Sequence, residues 1–462
     1  MIRDKFFKTF ICLVLMFFSC GCAAKERLWY IAPTVIPHTE RMMKSPGFWI
    51  SHHPSPDQVL LDAREIDQMN SDIQNQLKLT EDIFHLDAPY RGNKLKTEIE
   101  NNLENFLKQK FYTLDGRPAS GKEASDFYKE IQSNLNIDEI PPKIAVRYGI
   151  VVHYADQRLF PTSQGLYAQP FDIDFDEVQN STLDVATPVA ILHQSKDGQW
   201  LYAVSSSSSG WIEIKNIAFC SREVLEKKFH PTPENRLIVT KAKADISLDQ
   251  NLTQYYDYAR MGCEFVIQDR INEDVVAIVL PLKKKDGNVI LSTGYLAAKD
   301  IHEGYLSYTP RHTIGQAFEL LNAPYGWGGM HGEQDCSAFL QEIFATVGVH
   351  LPRNSSAQAK VGKLLKEFDK NSSIAEKFEI LSTQAIGGVT VLPLKGHIML
   401  FLGMVQDRAY AIHATWGYRE PVQSHDRVRV LNRVVVSDLS LGEGSRKGSL
   451  LERLLSIKLI WK

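Results

Sequence analysis

The stretch Asp335-Cys336-Ser337-Ala338-Phe339-Leu340-Gln341-Glu342-Ile343-Phe344-Ala345-Thr346-Val347-Gly348 decides how the last third of the chain reads. Cys336, Phe339, Leu340, Ile343, Phe344 and Val347 recur at helical spacing and a glycine stops the run, so a helix with one buried face is expected. Asp335 stands at the N-cap position and Cys336 in the first turn. There, unpaired backbone N–H groups and the positive end of the helix dipole favour thiolate over thiol. On the helix alone, a core cysteine is the commoner outcome. A nucleophile also needs a base, so the histidines decide.

Two of the histidines, His397 and His413, lie in apolar, strand-like runs, Gly396-His397-Ile398-Met399-Leu400-Phe401-Leu402-Gly403 and Ala409-Tyr410-Ala411-Ile412-His413-Ala414-Thr415-Trp416. The rest fall in polar loops, in the β-rich stretch or in connectors. A hairpin folded near Val405 pairs positions whose numbers sum to about 810 to 812, which places the two imidazoles on one face within reach of each other. One ring can then take a thiol proton while the other fixes its tautomer and orientation. Two strand histidines meeting by register alone would share this spacing. Neither lies on a helix with Cys or carboxylates at zinc-like spacing, so no metal and no cofactor is expected.

Upstream, the period changes twice. From about 138 to 308 the chain is written in short β-rich runs separated by turns such as Lys196-Asp197-Gly198. Within it, Gly210-Trp211-Ile212-Glu213-Ile214-Lys215-Asn216-Ile217 recurs as Gly294-Tyr295-Leu296-Ala297-Ala298-Lys299-Asp300-Ile301. Two copies of one small barrel follow, at 138–225 and 226–308. The segment 23–137 is read as a helical domain, with a helix opening at Ser55-Pro56-Asp57-Gln58 and apolar stripes such as Leu95-Ile99-Leu103-Phe106. From 309 onward helices and strands mix, beginning with a capping box at Thr313-Ile314-Gly315-Gln316.

The whole chain, 462 residues with 44% hydrophobic and 23% charged residues and a net charge of -3, is too long for one core and lacks a nucleic-acid footprint. Residues 1–22 carry Arg3, Lys5 and Lys8, an apolar stretch from Phe10 to Phe18, and then Cys20 and Cys22. This reads as an export signal of lipoprotein type, with either cysteine as the lipidation candidate. Cys220, Cys263 and Cys336 remain, an odd number in an oxidising compartment, so at least one thiol stays free. Cys220 and Cys263 follow or precede apolar runs and read as small buried hydrophobes. A lipid-attached monomer in the periplasm or cell envelope is expected.

Pro324-Tyr325-Gly326-Trp327-Gly328-Gly329, Asp335-Cys336-Ser337-Ala338-Phe339, Leu351-Pro352-Arg353-Asn354-Ser355, Gly396-His397-Ile398 and Ile412-His413-Ala414 resemble, in that order, the motifs of NlpC-type cysteine peptidases. The paired repeats resemble bacterial SH3-like domains, and the whole resembles the YkfC-like branch. The resemblance implies a multidomain α+β protein: an N-terminal helical domain, two SH3-like β-barrels and a papain-like catalytic domain over 309–462. It implies hydrolysis of γ-D-glutamyl-diamino acid bonds in peptidoglycan stem peptides, the diamino acid being meso-diaminopimelate or Lys. Cys336 would attack, His397 serve as base then acid, His413 orient it, and Tyr325 stabilise the oxyanion. Asp335, Ser337, Ser355 and Trp327 would contact the peptide, and Met330 to Gln334 would reshape one pocket wall. Asp176 or Glu177, in the acidic run Phe171-Asp172-Ile173-Asp174-Phe175-Asp176-Glu177, would take a free L-Ala amine. That run also reads as a solvated loop. An amidase or acyltransferase would use the same cysteine and histidines, and a wall-binding scaffold would carry them inert.

Overall fold

The computed structural model describes residues 29–31, 36–86, 89–119, 122–423 and 425–461; the signal segment 1–22 with Cys20 and Cys22 lies outside them. Three sheets of seven strands organise the chain into a multidomain α+β protein. The first runs from strand Arg147–Val151 to strand Ile217–Cys220, and the second from Arg236–Val239 to Ile301–Glu303. The internal repeat has one conformation in both: strand Ser209–Glu213, a single helical turn Ile214–Asn216 and strand Ile217–Cys220 correspond to Val289–Ala297, Ala298–Asp300 and Ile301–Glu303. Ile212 and Leu296, matched in the repeat, are both fully buried. Cys220 and Cys263 are partly buried against the barrel cores.

The third sheet belongs to the C-terminal part. Strands Thr390–Leu394, His397–Val405, Arg408–Val422 and His425–Asp438 lie side by side and antiparallel. Strand Trp29–Ile31 pairs in parallel with the outermost of these. The helix Cys336–Ala345 packs across the sheet, burying Phe339, Leu340 and Ile343 against Ile398, Leu400 and Ile412.

Among the described residues, the helical segment before the barrels shares its buried side chains with two neighbouring cores and forms none of its own, which corrects its reading as a separate domain. Trp49, Leu61, Ile66, Met69 and Ile73 join the same core as Phe339 and Leu400. Leu95, Ile99, Leu103, Phe106 and Phe111 join that of the first barrel, with Trp200, Tyr202 and Trp211. Each such side chain is worth roughly 1.5–3 kcal/mol when fully buried, so the helices are tied to two different neighbours. Two helix starts also move. Ser55-Pro56-Asp57-Gln58 forms a turn held to the C-terminal part, with the Arg311 N–H donating to the Pro56 carbonyl and the Arg311 guanidinium paired to Asp57. The helix begins later, at Ala63–Ser71, where Asp62 and Glu65 close a capping box. The helix expected from Thr313 is Pro310–Glu319; Thr309 caps it, Pro310 fills its first position, and Thr313 lies buried inside.

The three sheets meet around the helix Cys336–Ala345. Arg260 of the second barrel pairs with Asp184 of the first at 2.6 Å and with Glu342 of the helix at 3.2 Å. The segment Trp327–Gly332 docks on both barrels. A Cβ at Gly329, where φ is +88°, would stand 2.3 Å from Thr182 Oγ1, and one at Gly332 2.1 Å from the Tyr258 hydroxyl. Only glycine permits that approach at positive φ. The insert at Met330 to Gln334 is therefore a docking element, absent from the lining of the cavity beside His397.

Candidate active site

The Asp335 carboxylate caps the helix Cys336–Ala345, accepting from the Ser337 and Ala338 N–H groups and from the Ser337 hydroxyl. Arg353 clamps the same carboxylate from both sides at 3.0 and 2.8 Å and reaches Ser181 of the first barrel at 2.9 Å. Burial alone would raise Asp335, but the Arg353 guanidinium outweighs it and holds the carboxyl below its ordinary value. Asp335 and Ser337 are thus occupied by the helix start and by Arg353. Neither lines the cavity beside His397, although Asp335 Oδ2 accepts from Arg353 alone.

Cys336 is buried, with the N–H groups of Ser337 and Ile398 directed at its sulfur. Desolvation and the neighbouring Asp335 charge outweigh these donors, and the thiol is pushed up to about 12. The resting group is therefore a thiol, against the helix-start expectation of a thiolate: burial of the charged form wins over the dipole.

The two histidines meet, and a bulge decides that they do. Near the turn, Val405 pairs with Arg408, a sum of 813, which alone would put His397 and His413 on opposite faces of the hairpin. Leu402 is an extra residue between the pairs Phe401 with Ala411 and Gly403 with Tyr410, and beyond it the sum is 812. Both rings then share one face of the hairpin. His397 Nε2 lies 2.8 Å from His413 Nδ1, and His413 Nε2 lies 3.1 Å from Ser437 Oγ on the next strand. If each ring carries its proton on Nε2, the chain runs His397 to His413 to Ser437 as successive donors and leaves His397 Nδ1 bare. That atom can accept a proton. Burial and then the Arg453 and Lys447 charges hold His397 well below 6.5, at about 3, and burial and then the His397 charge lower His413 well below its ordinary value.

A cavity of about 290 Å³ opens beside His397 and has two unlike walls. One is aromatic: Phe175 from the first barrel makes edge contacts with Trp327 and Trp416 at 5.3 and 5.2 Å and leans on Tyr325 at 6.3 Å. Burial and then the Cys336 and Asp335 charges raise the Tyr325 phenol, which places it beside the nucleophile and keeps it protonated. The other wall is basic, formed by Arg419, Lys447 and Arg453.

The acidic run 171–177 does reach the cavity, but through Phe175 and through Asp174, which accepts from Trp416 Nε1 at 2.7 Å. Asp176 is turned inward, paired with Arg158 at 2.8 Å and accepting from the Leu166 and Val178 N–H groups. This corrects its reading as an amine ligand, since its carboxylate is buried, already paired with Arg158 and outside the cavity lining. Glu177 does not line the cavity, and burial raises it. Ser355 opens the short helix Ser355–Gln358, half-exposed and also outside the lining. Arg353, Ser437, Phe175 and the basic wall were not singled out by sequence. Arg353 and Phe175 stood within quoted stretches, Ser437 and the basic wall did not. A larger cavity, about 710 Å³, lies behind the helix between the two barrels and the N-terminal helical part and includes neither Cys336 nor His397. Among the described residues, no group of His, Cys, Asp and Glu is placed to hold a metal ion.

Comparison with known proteins gives the same two parts. Residues 322–407 match the NlpC/P60 family and residues 166–213 match the SH3 domain of SH3b1 type, and the chain carries both domains. An NlpC/P60 endopeptidase from Photobacterium damselae subsp. piscicida shares the fold over 94% of this chain and 99% of its own, with a TM-score of 0.75 and 20% identity. An NlpC/P60 family protein from Bacillus cereus aligns over 68% of this chain and all of its own, with a TM-score of 0.48 and 14% identity. The protein sly1 homologs of Drosophila melanogaster and Drosophila virilis are 35% and 36% identical over 112 residues. The chain spans only 17% and 16% of their lengths.

Proposed function

We propose that this chain is a cysteine endopeptidase of the cell wall that hydrolyses the bond between γ-D-glutamate and a diamino acid in peptidoglycan stem peptides. The observation that carries it is the buried Cys336 at a helix start beside strand His397–Val405, with His397 bonded to His413 at 2.8 Å. His397 Nδ1 takes the Cys336 proton as sulfur attacks the amide carbonyl, because neither group is charged at rest. The tetrahedral oxyanion is met by the Tyr325 hydroxyl and the Cys336 N–H, each donor worth roughly 3 kcal/mol in comparable sites. His397 then protonates the leaving amine, the C–N bond breaks, and a thioester remains for water to resolve through the same base. His413 and Ser437 hold the ring in the tautomer this requires.

The aromatic wall from the first barrel closes one side of the cavity, which supports a short stem peptide as substrate. An exported, lipid-attached location belongs to the same reading. It rests on the sequence of residues 1–22; among the described residues no helix is long and apolar enough to cross a membrane. Mass spectrometry of a digested wall-peptide library tests the proposal. Products ending in γ-D-Glu, absent with Cys336→Ser, are expected. Cleavage elsewhere, or turnover by Cys336→Ser at the wild-type rate, sinks it.

A further inference from the structure

Arg419, Lys447 and Arg453 line one side of the cavity beside His397. Their side chains, exposed for Arg419 and Lys447 and half-buried for Arg453, have no carboxylate partner, hydrogen bond or ring contact among the described residues, whereas almost every buried or half-buried arginine elsewhere in the chain is paired. Nothing nearby offsets them. Burial and then the Arg453 and Arg419 charges lower Lys447, and burial and then the Arg419 charge lower Arg453. Holding three like charges together without a counter-ion is unfavourable, and a wall of this kind is completed by an anion.

The direction of the chemistry says which part of the substrate meets it. His397 hands its proton to the leaving amine, so the leaving residue must lie against His397. Arg453 and Lys447 are close enough to lower that ring. The acyl part, by contrast, faces Tyr325 and the aromatics from the first barrel. We infer that Arg419, Lys447 and Arg453 form the binding site for the carboxylates of the leaving diamino acid and select one that carries an extra side-chain carboxylate, as diaminopimelate does and lysine does not. The inference rests on the proposed function and narrows it. Bound carboxylates also offset the two charges that depress His397, so the correct leaving group makes its own proton donor more basic.

The test uses the full chain carrying Cys336→Ala and isothermal titration calorimetry with two tripeptides, L-Ala-γ-D-Glu-meso-diaminopimelate and L-Ala-γ-D-Glu-L-Lys. The first is expected to bind about tenfold tighter, the usual effect of one charge-assisted hydrogen bond. The gap narrows at high salt, because these side chains are partly solvated. A diaminopimelate peptide with its side-chain carboxylate amidated is expected to bind like the lysine peptide. Adding Lys447→Gln and Arg453→Gln is expected to bring the ratio towards one. Equal affinities for the first two peptides, no binding of either, or full affinity for the amidated peptide overturns the inference, and the last comparison needs no substituted wall. Tight, selective binding to Cys336→Ala with no cleavage by the wild type would instead leave the wall's role standing and remove the proposed chemistry.

Discussion

Replacing Arg353 by Met tests the view that the nucleophile helix is fixed by one buried ion pair rather than by the helix stripe alone. Arg353 and Asp335 are each about nine-tenths buried and joined by two bonds at 3.0 and 2.8 Å. Arg353→Met fills most of the volume but leaves the Asp335 carboxylate with only the helix-start donors. Removing one partner of a buried pair costs about 3–5 kcal/mol, because the other charge stays behind. The bond to Ser181 goes as well, loosening the first barrel from the C-terminal part. At about 2–4 °C of Tm per kcal/mol for a domain of this size, a loss of about 10 °C is expected by calorimetry or circular dichroism. Asp335 would also lose the charge that holds its carboxyl low, so the loss is expected to shrink as pH falls and the carboxyl protonates. The double variant Arg353→Met, Asp335→Asn is expected to recover most of the stability, since Asn keeps the cap and removes the stranded charge. A fall of under about 2 °C for the single variant, or a double variant no better than the single, would refute the reasoning, because both follow only if the pair is desolvated.

Three further expectations concern the site and the junction behind it. His397→Ala is expected to abolish hydrolysis with little change in thermal unfolding, whereas His413→Ala loses much activity and His413→Asn or Gln retains part of it; steady-state rates and melting curves of the same preparations check both. Ser437→Ala removes the acceptor for His413 Nε2 and is expected to lower kcat about 10- to 100-fold, as for other residues that orient a catalytic ring, with KM little changed. Burial, only partly offset by Arg260, raises Glu342 to about 8. Such a carboxyl is protonated in the folded state and ionised in the unfolded one between about pH 4.5 and 8. The unfolded state then binds fewer protons, so stability falls as pH rises through that window; Glu342→Gln is expected to flatten the fall, and equal slopes for both proteins would refute it.

What could be read from sequence was local or even-numbered, and what could not was carried between elements. The helix stripe from Cys336 and the repeat at Gly210 and Gly294 show as periods in a single stretch, and the structure places both as strand or helix accordingly. The stripes of the N-terminal helices were equally visible, but a stripe states that a face is buried and not against what. Trp49 and Leu95 therefore went to different cores. The same limit hid Ser437, which comes from a third strand, and the basic wall, whose members Lys447 and Arg453 look like ordinary surface charge until the chain turns them towards His397. The histidine pair is the instructive case. An even register sum was expected near Val405, whereas the turn there sets an odd one, and only the extra residue Leu402 restores even parity before His397. A bulge leaves no period in the sequence, since it is one residue without a partner. The site thus depends on a feature that pairing rules would count as an error. Removing Leu402 to regularise the ladder should turn His413 away from His397 and cost the dyad, even though every catalytic residue would still be present.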